Sequence, residues 1–137
     1  MEYTEDAVIR TPLGLPGFES ETGFLLIQLP GQYPLVYLQS LQSPDLCFPA
    51  LPVRVADADY QLEVNDEDSG VLGVSTRPGI GSDVLCLALL AAEETGTATA
   101  NLKAPLVVRI GTRIGVQCLN SAGDYLCRHP LEEGVPA

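Results

Sequence analysis

The chain is short of positive charge, of histidine and of long apolar runs, and each shortage removes a class of function. Only seven Lys and Arg stand against 18 Asp and Glu in 137 residues, a net charge of −11. Such a surface repels a phosphate backbone, so direct nucleic-acid binding is not expected. No run reaches the roughly 18 apolar residues of a membrane-spanning helix. The opening Met1-Glu2-Tyr3-Thr4-Glu5-Asp6 is acidic where a secretory signal would be basic. A soluble chain that stays where it is made is therefore expected. The single histidine, His129, lies in Arg128-His129-Pro130, and no GxSxG elbow is present, so nothing supplies the nucleophile and base of a hydrolase. Gly79-Ile80-Gly81 lacks both the Lys-Ser/Thr of a phosphate loop and the third glycine of a dinucleotide fingerprint.

The four cysteines, Cys47, Cys86, Cys118 and Cys127, are too far apart for a CxxC knuckle. Cys86 sits in an apolar run, where a thiol acts as a small hydrophobe, and a chain of this length does not depend on disulfides. Asp66-Glu67-Asp68 is contiguous rather than alternating and has no closing glutamate, unlike an EF-hand loop. Neither metal nor cofactor is expected. A chain near 150 residues buries about 70% of its unfolded surface, so residues 1–137 form one domain around one core.

What is present is a succession of short strand patterns. Glu2 to Arg10 alternates, with Tyr3, Ala7 and Ile9 on one face; the Pro- and Gly-rich stretch from Thr11 to Gly17 forces a turn; Phe24 to Leu29 and Leu35 to Leu41 read as strands. Ser43-Pro44-Asp45 has the residues of a helix start, for one short helical turn. Val53 to Ala56 and Tyr60 to Val64 read as two short strands or one bent one, the second with Tyr60, Leu62 and Val64 inward. Asn65 before Asp66, Glu67 and Asp68 predicts a capped helix to about Leu72, because negative charge is favoured at the unpaired N–H groups of a helix start. Val84 to Ala92 is apolar throughout and, by length, a buried strand. Thr97 to Asn101, Pro105 to Ile110 and Ile114 to Leu119 complete the set, with Gly111-Thr112-Arg113 as a tight connection and Leu106, Val108 and Ile110 facing the core. The tail from Glu132 is expected to be loose. About eight to ten short strands without a long amphipathic helix predict an all-β fold, a small closed or nearly closed antiparallel barrel with one or two short helical turns.

Two features point to protein contacts. Asp57, Asp59, Glu63, Asp66, Glu67 and Asp68 place six negative charges between positions 57 and 68 with no basic residue among them, either a solvated face with a helix cap or a docking surface for a basic partner. Affinity then needs buried anchors, for which the aromatic candidates are Tyr33, Tyr37, Phe48 and Tyr125.

Four blocks in order carry a resemblance. They are Thr11-Pro12-Leu13-Gly14-Leu15-Pro16-Gly17-Phe18-Glu19; Leu38-Gln39-Ser40-Leu41-Gln42-Ser43-Pro44-Asp45-Leu46-Cys47-Phe48-Pro49; Asn101-Leu102-Lys103-Ala104-Pro105-Leu106-Val107-Val108; and Tyr125-Leu126-Cys127-Arg128-His129-Pro130-Leu131. Together they span most of the chain, and it resembles the FliW family of flagellar assembly factors. Lys103 and Arg109 depart from that pattern. The resemblance implies a non-catalytic cytoplasmic protein, monomeric when free, that binds flagellin and the RNA-binding translational regulator CsrA. Carried onto Arg128 and His129, it implies either fold closure or partner contact. The alternative is a small-ligand-binding or catalytic β-barrel, with inward polar residues such as Thr99, Asn101 or Gln117 around a cavity.

Overall fold

A computed structural model describes residues 7–92 and 96–131. Among these described residues nine strands and two short helices follow one another: β1 (Val8–Arg10), β2 (Gly23–Ile27), β3 (Val36–Ser40), β4 (Cys47–Pro52), α1 (Val53–Ala56), α2 (Asp66–Leu72), β5 (Val84–Ala92), β6 (Ala98–Ala100), β7 (Leu106–Arg109), β8 (Gly115–Gln117) and β9 (His129–Pro130). The expected Glu2 to Arg10 strand is present as β1; its first residues, like the tail from Glu132, lie outside the described residues.

Every strand pair is antiparallel, and β1 to β5 pair in sequence order. At β5 the sheet forks. Val84 to Leu87 pair with β7, whose other edge carries β8, while Leu90 to Ala92 pair with β6, which carries β9. The ring from β1 to β5, β7 and β8 closes through one parallel bridge, Arg10 to Ile114, where the Arg10 N–H donates to the Arg113 carbonyl at 2.9 Å. The result is a nearly closed barrel.

The fork explains the continuously apolar β5. Leu87 points into the barrel with Ile9, Phe24, Leu38, Leu106 and Val108. Val84, Cys86 and Ala88 point the other way, into a second core built with Val53, Tyr60, Leu62, Val64, Leu72 and Cys118, so two cores stand on either side of β5 where one was expected. A strand buried on both faces has no polar side to show, and so loses its period of two. Leu106 and Val108 face the barrel as expected, whereas Ile110 is half-buried.

Several local readings need correction. Ser43-Pro44-Asp45 forms a reverse turn, not a helical one: the Leu46 N–H donates to the Ser43 carbonyl at 3.0 Å, and Ser40 Oγ accepts from the Gln42 and Ser43 N–H groups. The chain must double back there because β4 pairs with β3 at once. Strand β4 is masked in the sequence by Pro49 and Pro52. The Ser40 N–H bonds the Leu46 carbonyl, so in the alternating antiparallel pattern position 49 points away from β3, on the side where β5 begins to pair only at Ala50. Pro52 lies past the end of β3 in the same way. Beyond it, Val53 to Ala56 is one helical turn instead of a strand, setting Val53 into the second core.

Tyr60 to Val64 keeps the expected burial, with Tyr60, Leu62 and Val64 inside, yet joins no ladder. Side chains, together with main-chain bonds from the Ser121 N–H to the Glu63 carbonyl and from the Val64 N–H to the Thr76 carbonyl, stand in for a neighbouring strand. Asn120, 2% exposed, donates from Nδ2 to the Gln61 carbonyl at 2.8 Å and accepts from the Glu63 N–H at 2.9 Å through Oδ1. The Tyr125 hydroxyl accepts from the Gln61 N–H at 2.9 Å. Helix α2 forms as its sequence dictates: Asn65 accepts from the Asp68 N–H, and Gly73 ends it in the left-handed conformation at φ 73°. Arg109 Nη1 reaches the Leu72 carbonyl at the helix end, at 3.4 Å.

Candidate functional site: an acidic docking face

The acidic cluster is built by three consecutive devices. After α1, Asp57 Oδ1 accepts from the Asp59 N–H at 2.9 Å and the Tyr60 N–H donates to the Asp57 carbonyl, which turns the chain. Tyr60 then anchors the segment: its ring is fully buried, and its hydroxyl donates to the Leu102 carbonyl at 2.5 Å. Burial pushes the Tyr60 phenol well above its usual pKa, so it stays a donor. Finally α2 presents Asp66, Glu67 and Asp68 in its first turn. Asp59, Asp66 and Glu67 are exposed; Asp57, Glu63 and Asp68 are half-buried.

Glu63 differs from the rest. Arg77 Nε donates to its Oε2 at 2.6 Å and Ser121 Oγ to its Oε1 at 3.2 Å, and the Arg77 guanidinium holds its carboxyl below the usual range. This is the only ion pair among the described residues, so the remaining carboxylates of the cluster have no ion-pair partner there. Beside Glu63 opens a cleft of about 430 Å³, lined by Arg54, Gln61, Arg77 and Ser121 among others. Sequence reasoning missed Arg77, Asn120 and Ser121, which come from other parts of the chain to fix Glu63 in place.

Other candidate residues fall elsewhere. Tyr125 packs its ring on Tyr60, with centroids 4.4 Å apart, and reaches the cluster through Gln61. His129 is half-buried in β9, opposite Ala100 of β6, and Arg128 precedes it at the surface. The four aromatic anchor candidates also separate. Phe48 lies between Phe18 and Phe24, and the Tyr37 hydroxyl donates to Gln32 at 2.7 Å, whereas Tyr33 is 82% exposed.

Among the described residues no group of three or more His, Cys, Asp or Glu gathers as metal ligands. Cys86 and Cys118 are buried free thiols, pushed above the usual thiol range by burial; Cys47 and Cys127 are exposed and free. No described helix is long and apolar enough to cross a membrane. The ligand-binding reading needs polar groups converging on a hollow. Instead apolar side chains fill the barrel, Gln117 Nε2 donates to the Ala104 carbonyl, Asn101 Oδ1 accepts from the Ala104 N–H, and Thr99 lies in β6, off the ring.

Comparison with known proteins gives a consistent picture. The family described as FliW protein matches residues 1–131. The flagellar assembly factor FliW of Syntrophomonas wolfei is 33% identical over 137 residues, covering 100% of this chain and 86% of that protein. The FliW of Bacillus licheniformis is 33% identical over 131 residues, covering 95% and 89%. A crystal structure of the flagellar assembly factor FliW superposes with a TM-score of 0.81 at 29% identity, over 96% of this chain and 90% of that one. With its nearly closed barrel and sequence matched along almost its whole length, this chain belongs to the FliW family of flagellar assembly factors.

Proposed function

We propose that the protein works in the cytoplasm by binding other proteins and not by catalysis, taking flagellin and CsrA in mutually exclusive contacts. Free of flagellin, it holds CsrA and relieves repression of flagellin translation. Newly made flagellin occupies it and returns CsrA to its messenger. The observation that carries this reading is the acidic face: five carboxylates, Asp57, Asp59, Asp66, Glu67 and Asp68, have no ion-pair partner among the described residues, on a body of net charge −11. A basic protein surface is its complement, and such a pairing chiefly raises the association rate. Docked beside an RNA-binding surface, the same charge lowers RNA affinity without covering the RNA site. Tyr125 borders the face, and Arg128, just before β9, and His129 on it are proposed as further contacts.

Changing Asp57, Asp59, Asp66 and Asp68 to Asn and Glu67 to Gln tests this in a CsrA–RNA binding assay across a salt series. The fold should persist, the inhibition of RNA binding should weaken, and its salt dependence should flatten. Inhibition left intact at low salt would sink the electrostatic mechanism. Co-purification from extract then asks which of CsrA and flagellin the protein carries.

A further inference from the structure

We infer that the tip of the β2–β3 hairpin is a separate docking site, which takes an uncharged aliphatic segment of a protein partner. From Thr22 to Pro44 the chain carries no Asp, Glu, Lys, Arg or His, although the protein holds 18 acidic and seven basic residues elsewhere. At the turn between the strands Tyr33 is 82% and Leu29 43% exposed, beside a cleft of about 340 Å³ lined by Gln28, Leu29, Pro30, Gly31, Tyr33 and buried Leu35. The tip is held in shape. Gln32 N–H donates to the Leu29 carbonyl at 3.2 Å, Leu35 N–H to the Gln32 carbonyl at 2.8 Å, and the Tyr37 hydroxyl to Gln32 Oε1 at 2.7 Å. A preformed tip has less freedom to lose on binding, and tyrosine is among the residue types enriched as interface anchors.

Charge selects the occupant. A basic segment is drawn by the −11 body but finds no carboxylate among the residues that line this cleft, an acidic one is repelled by that body, and an uncharged aliphatic segment matches a lining without charge. The same field repels an anionic lipid surface, and the tip has no Lys or Arg to anchor to one. The protein therefore has two faces of opposite chemistry: an acidic one whose contacts weaken with salt, and a neutral one whose contacts rest on apolar burial and do not. This second site is independent of what binds the first.

The chain contains no tryptophan, so Tyr33→Trp places a sole indole reporter at the tip. A capped peptide of Leu, Ala and Gln should shift its emission to the blue, with an affinity changed less than about twofold between roughly 0.05 and 0.5 M salt. Adding Leu29→Asp should weaken that binding at least about tenfold and leave thermal unfolding in place, since Leu29 is surface-exposed. As a second readout, the dye-labelled peptide should bind the unmodified protein and lose at least about tenfold on Tyr33→Ser. The inference is overturned if the uncharged peptide does not bind, if affinity survives Tyr33→Ser, if a lysine-bearing counterpart binds more tightly in a salt-sensitive way, or if phosphatidylcholine vesicles give the larger shift.

Discussion

Asn120 is joined to Gln61 by its side chain, Nδ2 donating to the Gln61 carbonyl at 2.8 Å, across a separation of 59 residues. With its Oδ1 on the Glu63 N–H, one buried amide serves two main-chain groups of the segment that carries the acidic face. Asn120→Ala should destabilise the protein by about 2–3 kcal/mol in chemical denaturation, because it leaves main-chain groups without partners. A loss below about 0.5 kcal/mol would show that water replaces the amide.

The same segment hangs on Tyr60. Tyr60→Phe keeps the ring in the second core but removes the donor to the Leu102 carbonyl, and should cost about 1–3 kcal/mol. Tyr125→Phe loses only an exposed acceptor for the Gln61 N–H while the Tyr60 ring contact remains, and should cost no more than about 1 kcal/mol. Denaturant midpoints of the two variants check the order.

Gly14 and Gly17 share the turn that follows β1, and both have positive φ, 66° and 85°. A Cβ at Gly14 would sit 2.4 Å from the Glu19 Cα, inside main chain that cannot move aside; a Cβ at Gly17 would meet nothing within 4 Å. Gly17→Ala should therefore cost about 1 kcal/mol from the left-handed backbone alone, and Gly14→Ala at least about 3 kcal/mol. Equal thermal midpoints for the two would contradict the contact.

The thiols divide in two. A thiol reagent should label Cys47 and Cys127 in the native protein and reach Cys86 and Cys118 only on unfolding. Burial raises the Cys86 thiol from 9.0 to about 12. The folded state thus favours the neutral form, a contribution complete below pH 9 and lost as pH rises from there towards 12. Cys86→Ala should flatten the fall in stability over that window, measured by denaturant titration at a series of pH values.

At the acid end, Arg77 and Ser121 lower the Glu63 pKa, so this group's contribution is present above its unfolded value and disappears as pH falls through the folded one. Arg77→Ala should remove part of the acid sensitivity, read as a smaller change in midpoint between neutral and acidic pH.

Some of this architecture follows from short-range chemistry. Asn65 and the three acidic residues after it specify α2, since a cap and a favourable dipole act within one turn. The alternation of Tyr60, Leu62 and Val64 correctly gives the buried face of their segment, and the length of Val84 to Ala92 correctly gives β5. The charge-free run from Thr22 to Pro44 can also be read directly, although its meaning is clear only once Tyr33 is seen exposed at a turn.

Long-range pairing settled the rest. Pro49 and Pro52 argue against a strand in any local reading, and are tolerated because their missing donors point where no partner strand runs. Val53 to Ala56 looks like strand by composition, yet becomes a helical turn beyond the reach of β3. Gln61 and Glu63 find their partners in Asn120 and Tyr125, about 60 positions away, and nothing in the intervening sequence encodes that meeting. The sequence alone determined the charge, the all-β class and the family resemblance, because composition and periodicity are local properties. Which acidic side chains stay unpaired and which aromatics reach solvent was decided only by the tertiary structure, because both depend on what distant segments bring alongside.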